Sequence, residues 1–401
     1  MPQRCKILIA SHAWYGDTIG GAFRLASELA VALVKAGHDV HYVCCDTRKD
    51  RFDKSSDSMG VVVHRYPPPS QWLPGFLKLR HHLRATMQLV GELQKVNPFD
   101  VASLHSPLQG WGALRSLRNS GAIANYTVHS PFDDEVAGNG GGRPSLLRQL
   151  IVWKARQIDR ENCRLADVVQ CLSRFTLSVL KERHTDAILD KGVVVPGWVD
   201  LELFRPVEAR SSVRSTLSDP WICDVPLFFT LRRLENRMGL ETLIEASRIL
   251  AERGLQFRTL IGGSGSLGET LRQQIEVSRL GKHVFMLGRL PEEQLADCYA
   301  AADCFVLPTK SLECFGLIVL EAFACNTPVI ASNVAAIPEL AERQGRDWMF
   351  EPGDGEQLAD RMQAFIEQRL KPTVDLRAVA MEYDKPRVLA EWERVLVGSR
   401  Q

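Results

Sequence analysis

No apolar run in this 401-residue chain approaches the roughly 20 residues that a membrane-spanning helix needs. Net charge is nearly absent: 49 Lys and Arg stand against 48 Asp and Glu, leaving +1, so nothing global points to nucleic acid. The ten cysteines form no C-x-x-C and no zinc-type spacing. Several (Cys44, Cys45, Cys171, Cys304) sit inside apolar runs, as reduced, packed thiols would. The loop after the first strand pattern, H-A-W-Y-G-D-T-I-G-G, is not G-x-G-x-x-G, which removes the dinucleotide fingerprint. No D-x-D or other metal-binding pair stands at a strand end, so no metal is expected. The N-terminal M-P-Q-R-C-K-I-L-I-A-S lacks the longer apolar core and small-residue cleavage site of a signal peptide, so a cytoplasmic protein is expected.

What is present is alternation. At 45% apolar and 24% charged residues, a chain this long is expected to fold as two soluble domains. Strand patterns at Cys5–Ser11, Val40–Cys45, Val61–Arg65, Val101–His105 and Ala124–His129 are separated by helix patterns, the first over Ala22–Ala36 and capped by Gly37. A long helix over Ser145–Arg164 and a strand in A-D-V-V-Q-C-L-S follow. The pattern is polar and broken between about Phe204 and Val225, which places the boundary at residues 205/206. It restarts with strands at Leu227–Leu231, Phe257–Ile261 and Val284–Gly288 and helices at Gly239–Arg253 and Glu292–Ala301. Glu356–Leu370 and Arg387–Val397 read as helical. Between strands, Asp133 to Pro144 is polar and glycine-rich and reads as a mobile loop or lid. The segment 72–90 sets Trp72, Leu73, Phe76, Leu77 and Leu79 among Lys78, Arg80, His81, His82 and Arg84, with no acid before Glu92. It suits either an anionic membrane surface or a helix packed on its own domain.

The stretch Lys310–Glu339 carries the chemistry. Cys304–Leu307 reads as a buried strand, Pro328–Ala331 as the next, and a helix lies between them. Glu313 and Gly316 fall in the loop at the carboxyl end of the first strand, where open parallel sheets bind ligands. Free N–H groups at the helix start suit a phosphate. Glu321, inside the helix, could accept hydrogen bonds from the hydroxyl pair of a ribose. Upstream, T-L-R-R-L-E-N-R-M-G offers Arg232, Arg233 and Arg237 between a strand and a helix, as fixed cations suited to an anion.

In its P-x-x-x-x-E-x-F-G-L context, the Glu313/Glu321 pair resembles the E-x7-E signature of retaining glycosyltransferases of the large GT-B family 4. The resemblance covers nearly the whole chain and is strongest over Leu227–Glu339. Gly20-Gly21 and Gly37-His38-Asp39-Val40 fit the family's Gly-Gly and G-H-x-V. Val193–Pro206 resembles its P-N-G-V-D-x-x-x-F-x-P, with Gly197-Trp198 replacing Asn-Gly. In the family's R-x-x-x-x-K-G, Arg233 matches the arginine, but Met238 stands at the lysine position and Arg237 is its nearest substitute. Cys314 and Asn326 stand where the family more often has glycine.

The resemblance implies an α/β GT-B fold: two Rossmann-like, doubly wound domains facing a cleft, residues 1–205 for the acceptor and 206–384 for the donor, with a last helix (385–401) crossing back. It implies metal-independent transfer of a hexose, with retention, from a UDP-hexose or GDP-mannose to a hydroxyl of a glycan, glycolipid or lipid-linked precursor. Glu321 would bind the ribose. Arg233, Arg237 and the backbone around Phe315, Gly316 and Leu317 would bind the diphosphate. Glu313 would hold the sugar hydroxyls, with His129 and Gly21 beside the anomeric carbon and Gly20 also in the donor site. Gly263 and Arg289 would border the nucleotide. No cofactor beyond the nucleotide sugar is expected. A nucleotide-sugar epimerase on the same architecture and a non-catalytic nucleotide-sugar-binding protein remain open.

Overall fold

A computed structural model describes residues 4–18, 20–48, 55–138, 145–217 and 219–398. The chain forms two compact units, residues 1–196 with 386–401, and residues 197–385.

In the first unit, β1 (Lys6–Ala10), β2 (Asp39–Cys45), β3 (Ser55–Ser58), β4 (Val61–Tyr66), β5 (Val101–Leu104), β6 (Ile123–Val128), β7 (Val168–Cys171) and β8 (Gly192–Val194) make one sheet. Its order is β3-β4-β2-β1-β5-β6-β7-β8. All pairs are parallel except the β3–β4 hairpin. The order reverses between β1 and β5, and right-handed crossovers therefore put the helices before and after that point on opposite faces. Strands covered on both sides need continuous apolar runs, and β1 (K-I-L-I-A) and β5 (V-A-S-L) supply them. Helix Gly75–Val96 packs on helix Pro107–Leu117, which packs on helix Leu146–Leu165.

The second unit repeats the plan with β9 (Leu227–Leu231), β10 (Arg258–Gly262), β11 (Val284–Gly288), β12 (Cys304–Leu307), β13 (Val329–Ser332) and β14 (Met349–Phe350). The order β11-β10-β9-β12-β13-β14 is fully parallel and reverses between β9 and β12. Its core joins Phe228, Leu243, Ile244, Val306, Ile330 and Trp348.

Several details depart from the sequence reading. Polar β3 was not anticipated. Phe132–Gly138, read as the start of a mobile loop, is a helix. Asp133 is buried there and paired with Arg156 and Arg183 at 2.7 and 2.8 Å, while Asp159 accepts the Phe132 N–H at 2.6 Å. The remainder of that loop, 139–144, lies outside the described residues, as does Ile19 in the first loop. Arg210–Leu217, inside the stretch read as patternless, is also helical. Among the described residues no helix is long and apolar enough to cross a membrane.

Candidate active site

In the second unit the two sides of the sheet reversal are tied together by one side chain. Arg232 is the first residue beyond β9, and its side chain is 8% exposed. Its Nη2 donates to Glu313 Oε2 at 2.9 Å and to Thr309 Oγ1 at 3.1 Å, both on the loop after β12. The same nitrogen lies 2.9 Å from Met238 Sδ. The Nε–H is buried and has no partner among the described residues. A buried donor left unmade is costly, so this guanidinium has unspent capacity at a ligand-binding edge.

Close backbone packing fixes the loops. Gly263 follows β10 at φ +125°, and a Cβ there would lie 1.8 Å from Arg232 O. Gly239, at φ +70°, would set a Cβ 1.8 Å from Pro308 O. Only glycine fits at either place. Leu312, just ahead of Glu313, takes the left-handed conformation at φ 60°, a strained choice for a leucine.

Gly316 (φ 93°) precedes helix Leu317–Ala324 and accepts from Val319 N at 2.9 Å, and no side chain caps this helix start. Glu321 is in its second turn and 9% exposed. Burial and the adjacent Glu321 carboxylate hold the Tyr299 phenol well above its ordinary pKa. Two departures from the family pattern have local reasons. Asn326 ends this helix at φ 55°, a conformation asparagine tolerates. A Cβ at Gly197 would collide with Leu317 Cδ2 at 2.8 Å, so glycine there lets the segment pack on Phe315 and Leu317.

The arginines expected to face a diphosphate divide. Arg237 Nη1 donates to Leu312 O at 2.8 Å, and Lys310 N donates back to Arg237 O at 2.8 Å, so this residue braces the β12 loop. Arg233 and Arg289 are exposed. Arg232, present in the motif but passed over in assigning roles, is the one bonded to Glu313.

In the first unit, the ends of β1 and β5 meet at the sheet reversal: His12 N donates to Ser106 Oγ at 2.9 Å. Gly20 precedes helix Gly21–Lys35, and a Cβ on Gly21 would meet nothing within 4 Å. His129, beyond β6, shares a 3.0 Å hydrogen bond between its Nε2 and His105 Nδ1. His105 also bonds Ser103 Oγ through Nε2 at 2.9 Å and stacks on Trp392 at 5.7 Å. Trp392, on helix Lys385–Gly398, donates from Nε1 to Pro196 O at 2.8 Å, which attaches the chain's last helix to this unit. Burial pulls His129 down to about 4 and His105 well below its usual value, so both are neutral near pH 7. Neutral His129 can hydrogen-bond a hydroxyl but brings no charge. His105 was missed in the sequence, where its place at the end of β5 was the available signal.

Two doubly wound parallel units, one with paired glutamates around a helix start at its sheet reversal, define a GT-B glycosyltransferase. Residues 19–203 match Glycosyltransferase Family 4 and residues 221–384 match Glycosyl transferases group 1. The chain belongs to this GT4-type family of GT-B glycosyltransferases, which act with nucleotide-sugar donors. The D-inositol 3-phosphate glycosyltransferase of Pseudarthrobacter chlorophenolicus is 27% identical over 367 residues, 87% of this chain and 82% of that protein. Its counterpart from Streptomyces scabiei is 34% identical over 193 residues, 45% of this chain and 42% of that one. The fold is that of sucrose-phosphate synthase from Thermosynechococcus elongatus, with a TM-score of 0.81 at 22% identity over 98% of each chain.

Proposed function

We propose that the protein is a retaining hexosyltransferase that takes a hexose from UDP-hexose or GDP-mannose and needs no metal. One observation carries this reading: Glu313, Gly316 and Glu321 stand around the start of helix Leu317–Ala324, and a buried arginine is bonded to the first of them. Glu321 accepts the ribose hydroxyls. Arg233 and the N–H groups at the helix start take the diphosphate, and Glu313 takes the sugar hydroxyls. In the reaction the bond from the anomeric carbon to the diphosphate oxygen breaks. The acceptor oxygen bonds to that carbon on the same face, and its proton passes to the departing phosphate oxygen. The developing charge falls on arginines and helix N–H groups, which supports a mechanism without a metal.

The acceptor is a hydroxyl on an amphiphilic, anionic glycan or lipid-linked precursor. Supporting this, a hollow of about 850 Å³ in the first unit is lined by Leu73, Leu77 and Leu89 together with the basic Arg65, Arg80 and Arg84, against one acid, Glu92. The relatives' acceptor, an inositol phosphate by name, is also anionic. A cytoplasmic protein working against the membrane face fits the exposed Trp72 (91%), in the turn before helix Gly75–Val96, and Phe76 (69%) in its first turn. A second apolar face, Leu146, Leu147, Leu150, Ile151 and Trp153, is exposed on helix Leu146–Leu165. Both helices start from the carboxyl edge of the sheet, on one face of it.

The test is a donor panel with the purified protein, read by nucleotide release and by NMR of the sugar product. Transfer or slow hydrolysis with the anomeric configuration kept, abolished by Glu313→Gln, is expected. Nucleotide binding without turnover of any donor would favour a non-catalytic binding protein, and a donor recovered with its sugar inverted at one carbon would favour an epimerase.

A further inference from the structure

The family pattern sets a lysine five residues after its arginine, and this chain has Met238 there. Met238 is 4% exposed at the end of the turn Asn236–Met238 and brings no charge. The neighbouring Arg237 is committed to the carbonyl of Leu312. A cation reaches this place from Arg232, the residue before the motif's arginine. Arg232 reaches over from β9, and its Nη2 lies 2.9 Å from Met238 Sδ and 2.9 Å from Glu313 Oε2.

The geometry makes lysine at 238 and arginine at 232 alternatives. A lysine following the course of Met238 would have its Cδ near the present sulfur and its ammonium two bonds further on. That volume holds the Arg232 guanidinium. Two cations in one dry pocket would also repel. Conversely, the polarizable sulfur of Met238 closes the space beneath the guanidinium as a weak, uncharged acceptor on Nη2 and leaves the Nε–H untouched. Only Nη2 is used in the three bonds, and the Nε–H is buried and unsatisfied. A planar guanidinium with an idle edge suits the oxygens of a diphosphate.

We propose that Arg232 makes the donor-diphosphate contact that the missing lysine would make, and that Arg232 and Met238 are a compensating pair. This rests on the reading of the second unit as a nucleotide-sugar site. Arg232 then acts twice: it receives the leaving diphosphate and holds Glu313 at the sugar.

The experiment is a double-mutant cycle of Arg232→Gly, Met238→Lys and both together, with kcat, KM, UDP and GDP affinity by calorimetry, and thermal melting for each protein. Arg232→Gly is expected to lower kcat about a hundredfold or more, as loss of one transition-state cation does. Met238→Lys alone is expected to lower it as well. The double variant is expected to recover at least about tenfold over Arg232→Gly, an interaction that independent sites do not show. If Arg232→Gly fails to fold, Arg232→Gln removes the charge while keeping most of the volume, and the cycle runs on it. A kcat and nucleotide affinity within about threefold of wild type for Arg232→Gly would overturn the inference, as would a double variant no better than the single one. A wild-type protein that binds neither UDP nor GDP and turns over no donor would overturn the underlying site reading. A wild type that turns over and loses activity with Glu313→Gln but not with Arg232→Gly would overturn this inference alone.

Discussion

Arg232 Nη2 and Glu313 Oε2 lie 2.9 Å apart across the point where the second sheet reverses its strand order. A carboxylate held this way is fixed before any sugar arrives, which favours interactions that strengthen only in the transition state. Glu313→Gln keeps the shape and removes the charge. It is expected to lower kcat about a hundredfold or more while leaving UDP affinity within about threefold. Glu321→Ala should do the reverse and weaken UDP binding about tenfold or more, because it removes a charge-assisted contact to the nucleotide. Steady-state kinetics and calorimetry on the two variants check this division of roles.

Arg237 bonds a backbone carbonyl, so its effect should pass through the loop. Arg237→Ala removes the 2.8 Å bond to Leu312 O, next to the strained Leu312 backbone. A loss of about 1–2 kcal/mol in urea unfolding is expected, together with a kcat fall smaller than that of Glu313→Gln. A kcat loss as large as the Glu313→Gln loss, with no change in stability, would make Arg237 a direct ligand of the donor.

Glycine at 263 is required by a contact and not merely by its φ. Gly263→Ala would press a Cβ to 1.8 Å from Arg232 O, a backbone atom that cannot move alone. A cost of about 3 kcal/mol or more is expected in chemical denaturation, with activity falling beyond what stability explains because Arg232 shifts.

The parts of this architecture legible in the sequence were those that local rules dictate. A parallel strand buried on both faces must be a short continuous apolar run, so β9, β12 and β13 stand out, and the loop holding Glu313 is located by the strand before it and the helix after it. The polar edge strand Ser55–Ser58 has no such signal. Helix Phe132–Gly138 was read as loop because its stability comes from afar: Asp133 is paired with Arg156 and Arg183, residues 23 and 50 positions later. The exchange of roles between Arg237 and Arg232 was invisible for a related reason. Sequence adjacency to Met238 favours Arg237, but the exit direction of β9 decides which guanidinium reaches the Met238 sulfur.

Buried histidines set the acid limit. Burial, aided by neighbouring histidines for two of them, holds His64, His82 and His129 at about 4. Free histidine titrates near 6.5. Between those values the unfolded chain binds more protons than the folded one, so stability is fully present above about pH 6.5 and is lost as pH falls toward 4. Asp159, raised to about 7 by burial, works in the opposite direction, but it is one group against these three and His105, which burial also lowers. The melting temperature is therefore expected to drop by several degrees between pH 7 and pH 5. His82→Asn or His129→Asn should flatten that slope. A melting temperature constant over the interval would show that these rings are not held neutral.

The exposed apolar residues of the first unit make the membrane proposal measurable. Leu146, Leu147 and Leu150 are 85%, 67% and 58% exposed, and Arg148 and Lys154 lie on the same helix. Trp72 and Phe76, before and at the start of helix Gly75–Val96, are a second set of exposed apolar residues, and each set has basic residues nearby in the chain, which suits an anionic surface. Sedimentation with vesicles is expected to show binding to phosphatidylglycerol-containing bilayers and little binding to pure phosphatidylcholine. Binding should weaken as salt is raised, because the basic contribution is screened. Replacing Leu147 and Leu150 together by Glu should reduce partitioning about tenfold or more, since it removes buried apolar area and adds two repelled charges. The same pair should leave turnover of a water-soluble acceptor unchanged, because neither residue is assigned to the donor or to the hollow beside Arg80 and Arg84. Equal binding to neutral and anionic vesicles, or none to either, would sink the membrane contact while leaving the transferase reading intact.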